Sequence, residues 1–133
     1  MSRFIYLATA ALLLATPVAA QQEPTFQGRP LHAWIEDLKA PAPMTRNAAA
    51  YAISSMGPSA KAAVPALIQA LSDSEASVRF PVCVALREIG PAASAAVPKL
   101  QDVKENDRSD DVAFMAKKAL QAIQGPTATA ASP

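Results

Sequence analysis

Arg46-Asn-Ala-Ala-Ala-Tyr-Ala-Ile-Ser-Ser-Met-Gly-Pro58 is followed by Ala62-Ala-Val-Pro-Ala-Leu67, and the same pattern then returns. Arg79-Phe-Pro-Val-Cys-Val-Ala-Leu-Arg-Glu-Ile-Gly-Pro91 precedes Ala95-Ala-Val-Pro-Lys-Leu100. Arg46 and Arg79, Gly57 and Gly90, and Val64 and Val97 are each 33 positions apart. Self-similarity at a fixed period of this length is the mark of a repeat array, in which one supersecondary unit cannot bury its apolar face alone and stacks on its copies. A weaker third copy follows, with Ile53, Leu86 and Leu120 in register at offsets of 33 and then 34. The extra residue falls in the charged linker Lys104–Asp111.

Outward from this stretch, the apolar spacing is helical throughout. Leu31, Trp34, Ile35 and Leu38 define a first helix, ended by Pro41 and Pro43. Thr45, Ala49, Ala52, Ile53 and Met56 define a second, stopped by Gly57-Pro58. Val64, Leu67, Ile68 and Leu71 mark a third; Val78, Val82, Ala85, Leu86 and Ile89 a fourth; Val97, Leu100 and Val103 a fifth; and Val112, Ala116, Ala119, Leu120 and Ile123 a sixth. Six helices make three antiparallel pairs, spanning residues 31–57, 58–90 and 91–125. Pro65 and Pro98 suit a first helical turn, where the missing N–H is not needed. Pro81 lies deeper, so the fourth helix either starts near Ser77, after a cap at Ser74, or kinks.

Both ends differ from the array. Met1-Ser2-Arg3, the uncharged run Phe4–Ala15 and the small residues Val18 and Ala20 read as a secretory signal peptide over residues 1–20, with an uncleaved membrane anchor as the other reading, disfavoured by the short run and Pro17. Residues 21–30 read as an extended lead-in pinned by Phe26, and residues 126–133 as a disordered tail of small polar residues. Without Arg3 the basic and acidic residues balance at eleven each, which argues against non-specific nucleic-acid binding. The single cysteine, Cys83, allows no internal disulfide, and the single histidine, His32, allows no multi-histidine metal site. Cys83 reads as a buried inert thiol, with a dimer disulfide as the other reading. Asp110 and Asp111 read as charges favoured by a helix N-terminus. No Gly-rich phosphate loop, Cys-x-x-Cys or zinc spacing occurs.

Val-Pro-x-Leu, followed by Asp73, Val78-Arg79 and Ala85-Leu86-x-x-Ile89-Gly90-Pro91, resembles HEAT repeats, with the phycobilisome-lyase-like bacterial subfamily the nearest variety. Gly28–Leu38 resembles the first helix of secreted bacterial HEAT proteins. The likeness covers Leu31–Gln124. It implies an all-α fold, an α-solenoid of three helix pairs in a right-handed superhelix, and a protein-binding scaffold. It also implies a ladder in which an Arg bonds an Asp in the next repeat's turn: Arg46 with Asp73, and Arg79 with Asp107. Ala40 replaces the Asp in the first repeat and Ala113 the Arg in the third, where no partner exists. These four residues therefore read as structural. Ile35 and Ile68 give way to Gln101, Leu38 and Leu71 to Lys104, and Ala50 and Cys83 to Lys117, the polar outer face of a capping repeat. The array is accordingly expected to end near residue 124.

At 100° per residue, Asn47/Phe80/Phe114 and Tyr51/Val84/Lys118 point away from the core face of the second helices. Tyr51, Phe80, Val84 and Phe114, edged by Arg87 and Lys118, then form either an exposed apolar ridge that binds a partner or a packing layer over small alanine contacts. The expected function is a non-catalytic, periplasmic or secreted interaction scaffold, with no cofactor, metal or nucleic acid. No membrane contact is expected after cleavage, and the chain is expected to be a monomer or weak homodimer bound to a protein partner. The alternatives are a phycobilin-lyase-like enzyme or chromophore chaperone, and a self-assembling structural subunit.

Overall fold

The computed structural model describes residues 22–125, so the signal segment over 1–20 and the tail over 126–133 lie outside the described residues. The chain is an all-α solenoid. The six α-helices among the described residues are α1 (Leu31–Asp37), α2 (Pro43–Met56), α3 (Val64–Ala70), α4 (Ala76–Ile89), α5 (Val97–Asn106) and α6 (Asp110–Gln124). α2 packs on α4 and α4 on α6, with α1, α3 and α5 each against the second helix of its own pair. The core is apolar: Ile53, Leu67, Leu71, Leu86, Ile89 and Leu100 are buried, and among the described residues no charged or polar residue is buried with them. Ala49, Val82 and Ala116 occupy equivalent sites at zero exposure. Small side chains there let neighbouring helices meet without voids.

Two features depart from the helix–turn–helix expectation. Gly57–Ala63 and Gly90–Ala96 are 3-10 turns between pairs, where the sequence pattern indicated only a stop. Each begins with a positive-φ glycine (Gly57 at 55°, Gly90 at 73°) followed by proline, and each bends at a buried alanine, Ala60 (φ −88°, ψ 16°) and Ala93 (φ −91°, ψ 19°). The repeat is thus reproduced at the level of single dihedrals. The turn at Gly90 also disposes of a membrane reading. Ala76–Asn106 is long and apolar enough by composition to cross a bilayer, but it comprises α4, a 3-10 turn and α5, and half of its most apolar window is buried in the fold.

The lead-in is not simply extended. β1 (Thr25–Phe26) pairs antiparallel with β2 (Arg29–Pro30) through a two-residue loop, Gln27 at φ 52° and Gly28 at φ 74°. Two positive-φ residues give the loop the twist a tight hairpin needs. Phe26 lies tilted on Trp34, with centroids 6.3 Å apart, and the Arg29 guanidinium covers the same indole at 4.4 Å while bonding Asp37 and the Ala33 carbonyl. Glu23 accepts from the His32 backbone N–H and contacts its imidazole, fastening the start of α1.

Pro81 also settles differently. α4 starts at Ala76, with Glu75 rather than Ser74 at its cap, and runs through Pro81. Proline cannot donate to the Ser77 carbonyl four residues earlier. The side-chain amide of Asn47, in the preceding repeat, donates to that oxygen instead. In the next repeat the equivalent positions are Phe80 and Met115, where an ordinary helical N–H removes the need for an amide.

Candidate interaction surface and the arginine ladder

The turns within pairs carry a chain of charge-assisted hydrogen bonds. Arg46 grips Asp73 with Nε at 2.7 Å and Nη2 at 3.1 Å, and its Nη1 donates to the Ala40 and Pro41 carbonyls. Arg79 grips Asp107 with Nε at 2.8 Å and Nη2 at 2.9 Å, and its Nη1 donates to the Asp73 carbonyl. Each aspartate also accepts from a backbone N–H two residues on, Glu75 for Asp73 and Ser109 for Asp107. Both pairs are bidentate, the strongest form of this contact. Burial works to raise the Asp73 pKa, but the Arg46 hydrogen bonds, the Glu75 N–H and the nearby guanidinium charges outweigh it and leave the carboxyl below its usual range. Arg79 lowers Asp107 in the same sense. The three nitrogens of each guanidinium all donate, to an aspartate of the next repeat and to turn carbonyls, so the arrangement ties adjacent repeats together. A mixed-charge groove of about 520 Å³ runs beside the second pair, lined by Ser72, Ser74, Lys99 and Arg108 among others.

The second-helix face holds the ridge residues, but not as equals. Tyr51 on α2 is 44 % exposed and Phe114 on α6 is 56 % exposed. Phe80 and Val84 on α4 are only part-exposed, and Phe80 packs against the core cluster. The uniform ridge is therefore corrected: α4 is flanked on both sides by α2 and α6, so its aromatic is half covered, whereas no helix among the described residues follows α6 to cover Phe114. Lys118 reaches back over the Phe114 ring at 5.4 Å. Arg87 is not a free rim charge, because it pairs with Glu88 at 2.7 Å and its Nη1 approaches the Met115 sulfur at 3.6 Å. Met44, 83 % exposed, stands seven residues before Tyr51 and so on the same face of α2. Sequence reasoning overlooked it, although the i, i+7 spacing was available. A cavity of about 310 Å³ brings together Asn47 and Tyr51 of α2, Ser77 and Phe80 of α4, and Ser109 and Asp111 of the third repeat. Val84, Arg87, Phe114 and Lys118 do not line it.

Cys83 is fully buried, and burial first, with Asp107 nearby, pushes its thiol up to about 12. A thiolate is the reactive form. A disulfide reagent at pH 8 is therefore expected to label the native protein at least ~100-fold more slowly than the urea-unfolded chain, because reaction waits on local opening. Equal rates would mean that the second repeat is open in solution. Lys104 and Lys117 are exposed where Leu38 and Leu71, and Ala50 and Cys83, are buried, and Gln101 is exposed where Ile35 and Ile68 are part-buried. Among the described residues no group of three potential metal ligands converges.

Stacked helix pairs at a 33-residue period, joined by glycine-proline turns and an Arg–Asp ladder, define a solenoid of the HEAT class. The chain belongs to the HEAT-repeat family: the family model for HEAT repeats matches residues 31–121. A comparison with curated proteins returned no match. HEAT repeats in general mediate protein–protein interactions.

Proposed function

We propose that this protein is a non-catalytic interaction scaffold that docks a protein partner on the second-helix face, and that it works in the periplasm or outside the cell. The observation that carries the docking surface is the exposure of Tyr51 and Phe114 on one face, when among the described residues the other large apolar side chains, Met44 apart, are buried or part-buried. Exposed aromatics rimmed by polar groups mark interaction sites. The charged and apolar pattern of residues 1–20 supports export, and the Val-Pro-x-Leu and Ile-Gly-Pro spacings support the phycobilisome-lyase-like subfamily as the nearest kin.

The test is affinity capture from a cell-envelope extract with the protein and with a Tyr51→Ser/Phe114→Ser variant. Phe80 is spared because it packs. The variant is expected to keep its helical circular dichroism and thermal midpoint while losing roughly tenfold or more of the partner retained by the parent, as removal of aromatic anchors does. A partner held equally by both, or none held by either, would remove the case for this face.

A further inference from the structure

We propose that the cavity between Tyr51 and Phe80 seats a cationic side chain, arginine or lysine, of the docked partner, with Asp111 as its counter-charge. This rests on the docking face assigned above and adds the chemistry of what enters it. The cavity is large enough for one extended side chain, and it is lined by the aromatic residues Tyr51 and Phe80, by Ser77, Ser109 and the carboxylate-bearing Asp111, and by Asn47, Ala76 and Val112. No basic residue lines it. Asp111 is exposed and forms no salt bridge among the described residues. Aromatic faces attract cations through the ring quadrupole, and guanidinium most often. The protein satisfies two of its aromatics this way: Arg29 covers Trp34 and Lys118 covers Phe114. Among the described residues no cation covers Tyr51 or Phe80. An aromatic pair with a carboxylate at the rim and no internal cation is complementary to one supplied from outside.

The same face sets the occupant's polarity. Lys117 and Lys118, both exposed and unpaired with any carboxylate among the described residues, follow Asp111 along α6. Lys118 is seven residues on, about 10 Å at the helical rise. The occupant is a segment with a cation over Asp111, an apolar stretch along Tyr51 and Phe114, and a neutral or acidic residue about 10 Å away toward Lys118. A uniformly basic segment is repelled there.

The experiment is an amide NMR titration of the isotopically labelled protein with N-acetyl-arginine amide, beside N-acetyl-glutamine amide and N-acetyl-glutamate amide. The arginine derivative is expected to shift Ser77, Phe80 and Asp111 in a saturable way, with the other two inert at the same sites. Asp111→Asn is expected to weaken the arginine response roughly two- to fivefold, the size of an ion pair at an exposed carboxylate. Arg-induced shifts unchanged in Asp111→Asn, no shifts at these amides, or equal shifts from glutamate would each overturn the proposal. Its failure is separable from that of the scaffold reading: a partner lost by Tyr51→Ser/Phe114→Ser but retained by Asp111→Asn leaves the docking face standing and removes the cation pocket.

Discussion

Leu86→Ala is expected to lower the free energy of unfolding by about 3–5 kcal/mol, the upper part of the range for a leucine removed from a packed core. Leu86 is fully buried in the last turn of α4, the helix packed on both α2 and α6. The core cluster it belongs to includes several alanines, Ala49, Ala85 and Ala116 among them, all at zero exposure. Such short side chains have no spare length to lean into a hole, so the cavity persists and its cost adds to the lost transfer energy. The equivalent Leu120 is 6 % exposed and lies in the last repeat of the described chain. There, α6 has one flanking second helix, and the site collapses more readily. Leu120→Ala is therefore expected to cost about half as much. Urea unfolding followed by circular dichroism checks both. Equal losses at the two positions would show that the array does not distinguish its centre from its end.

The second large effect belongs to the ladder. Arg79→Met is expected to cost about 2–4 kcal/mol, somewhat below the loss on breaking a fully buried pair because water reaches the guanidinium rim. The substitution leaves the Asp107 carboxylate, whose side chain is 5 % exposed, without its bidentate partner. It also frees the Asp73 carbonyl that Nη1 bonds. Most of that loss is the penalty of an uncompensated charge, so Arg79→Met/Asp107→Asn is expected to recover half or more of it. Asparagine removes the charge and keeps an oxygen for the Ser109 N–H, which the aspartate now satisfies. A double variant as unstable as the single one would mean that the guanidinium acts through packing instead. The pH dependence gives a separate reading. Asp73 and Asp107 are held below their ordinary range in the fold. Their contribution is complete above the unfolded value, about pH 4, and is lost as pH falls through the lowered native values. The parent is expected to destabilise steeply below about pH 4, and the Asp107→Asn double variant to show a shallower acid limb.

Much of this architecture was legible because it is written twice. The 33-residue offset set the helix pairs and where they stop, and the resemblance to HEAT repeats implied the opposition of each arginine to the next repeat's aspartate. A repeat array contains few decisions that are not local or nearest-neighbour, and a period exposes both kinds. The polar substitutions Gln101, Lys104 and Lys117 marked the exposed side of the third repeat for the same reason: they break a pattern already established by two copies.

What the period could not convey is where the copies stop being equivalent. Phe80 and Phe114 occupy the same repeat position, yet one is half buried and the other exposed, because burial depends on whether a neighbouring helix is present and not on the residue itself. The Asn47 amide that completes α4 at Pro81, the 3-10 turns at buried Ala60 and Ala93, and the hairpin that lays Arg29 over Trp34 are likewise joint properties of residues distant in sequence or of backbone angles no side-chain pattern encodes. The sequence alone determined the helical repeat and its period, since each follows from local spacing repeated, while the ladder was implied by the resemblance to HEAT repeats. Only the tertiary structure decided which face stays open and which residues meet around Tyr51 and Phe80, since accessibility is a property of the assembled array.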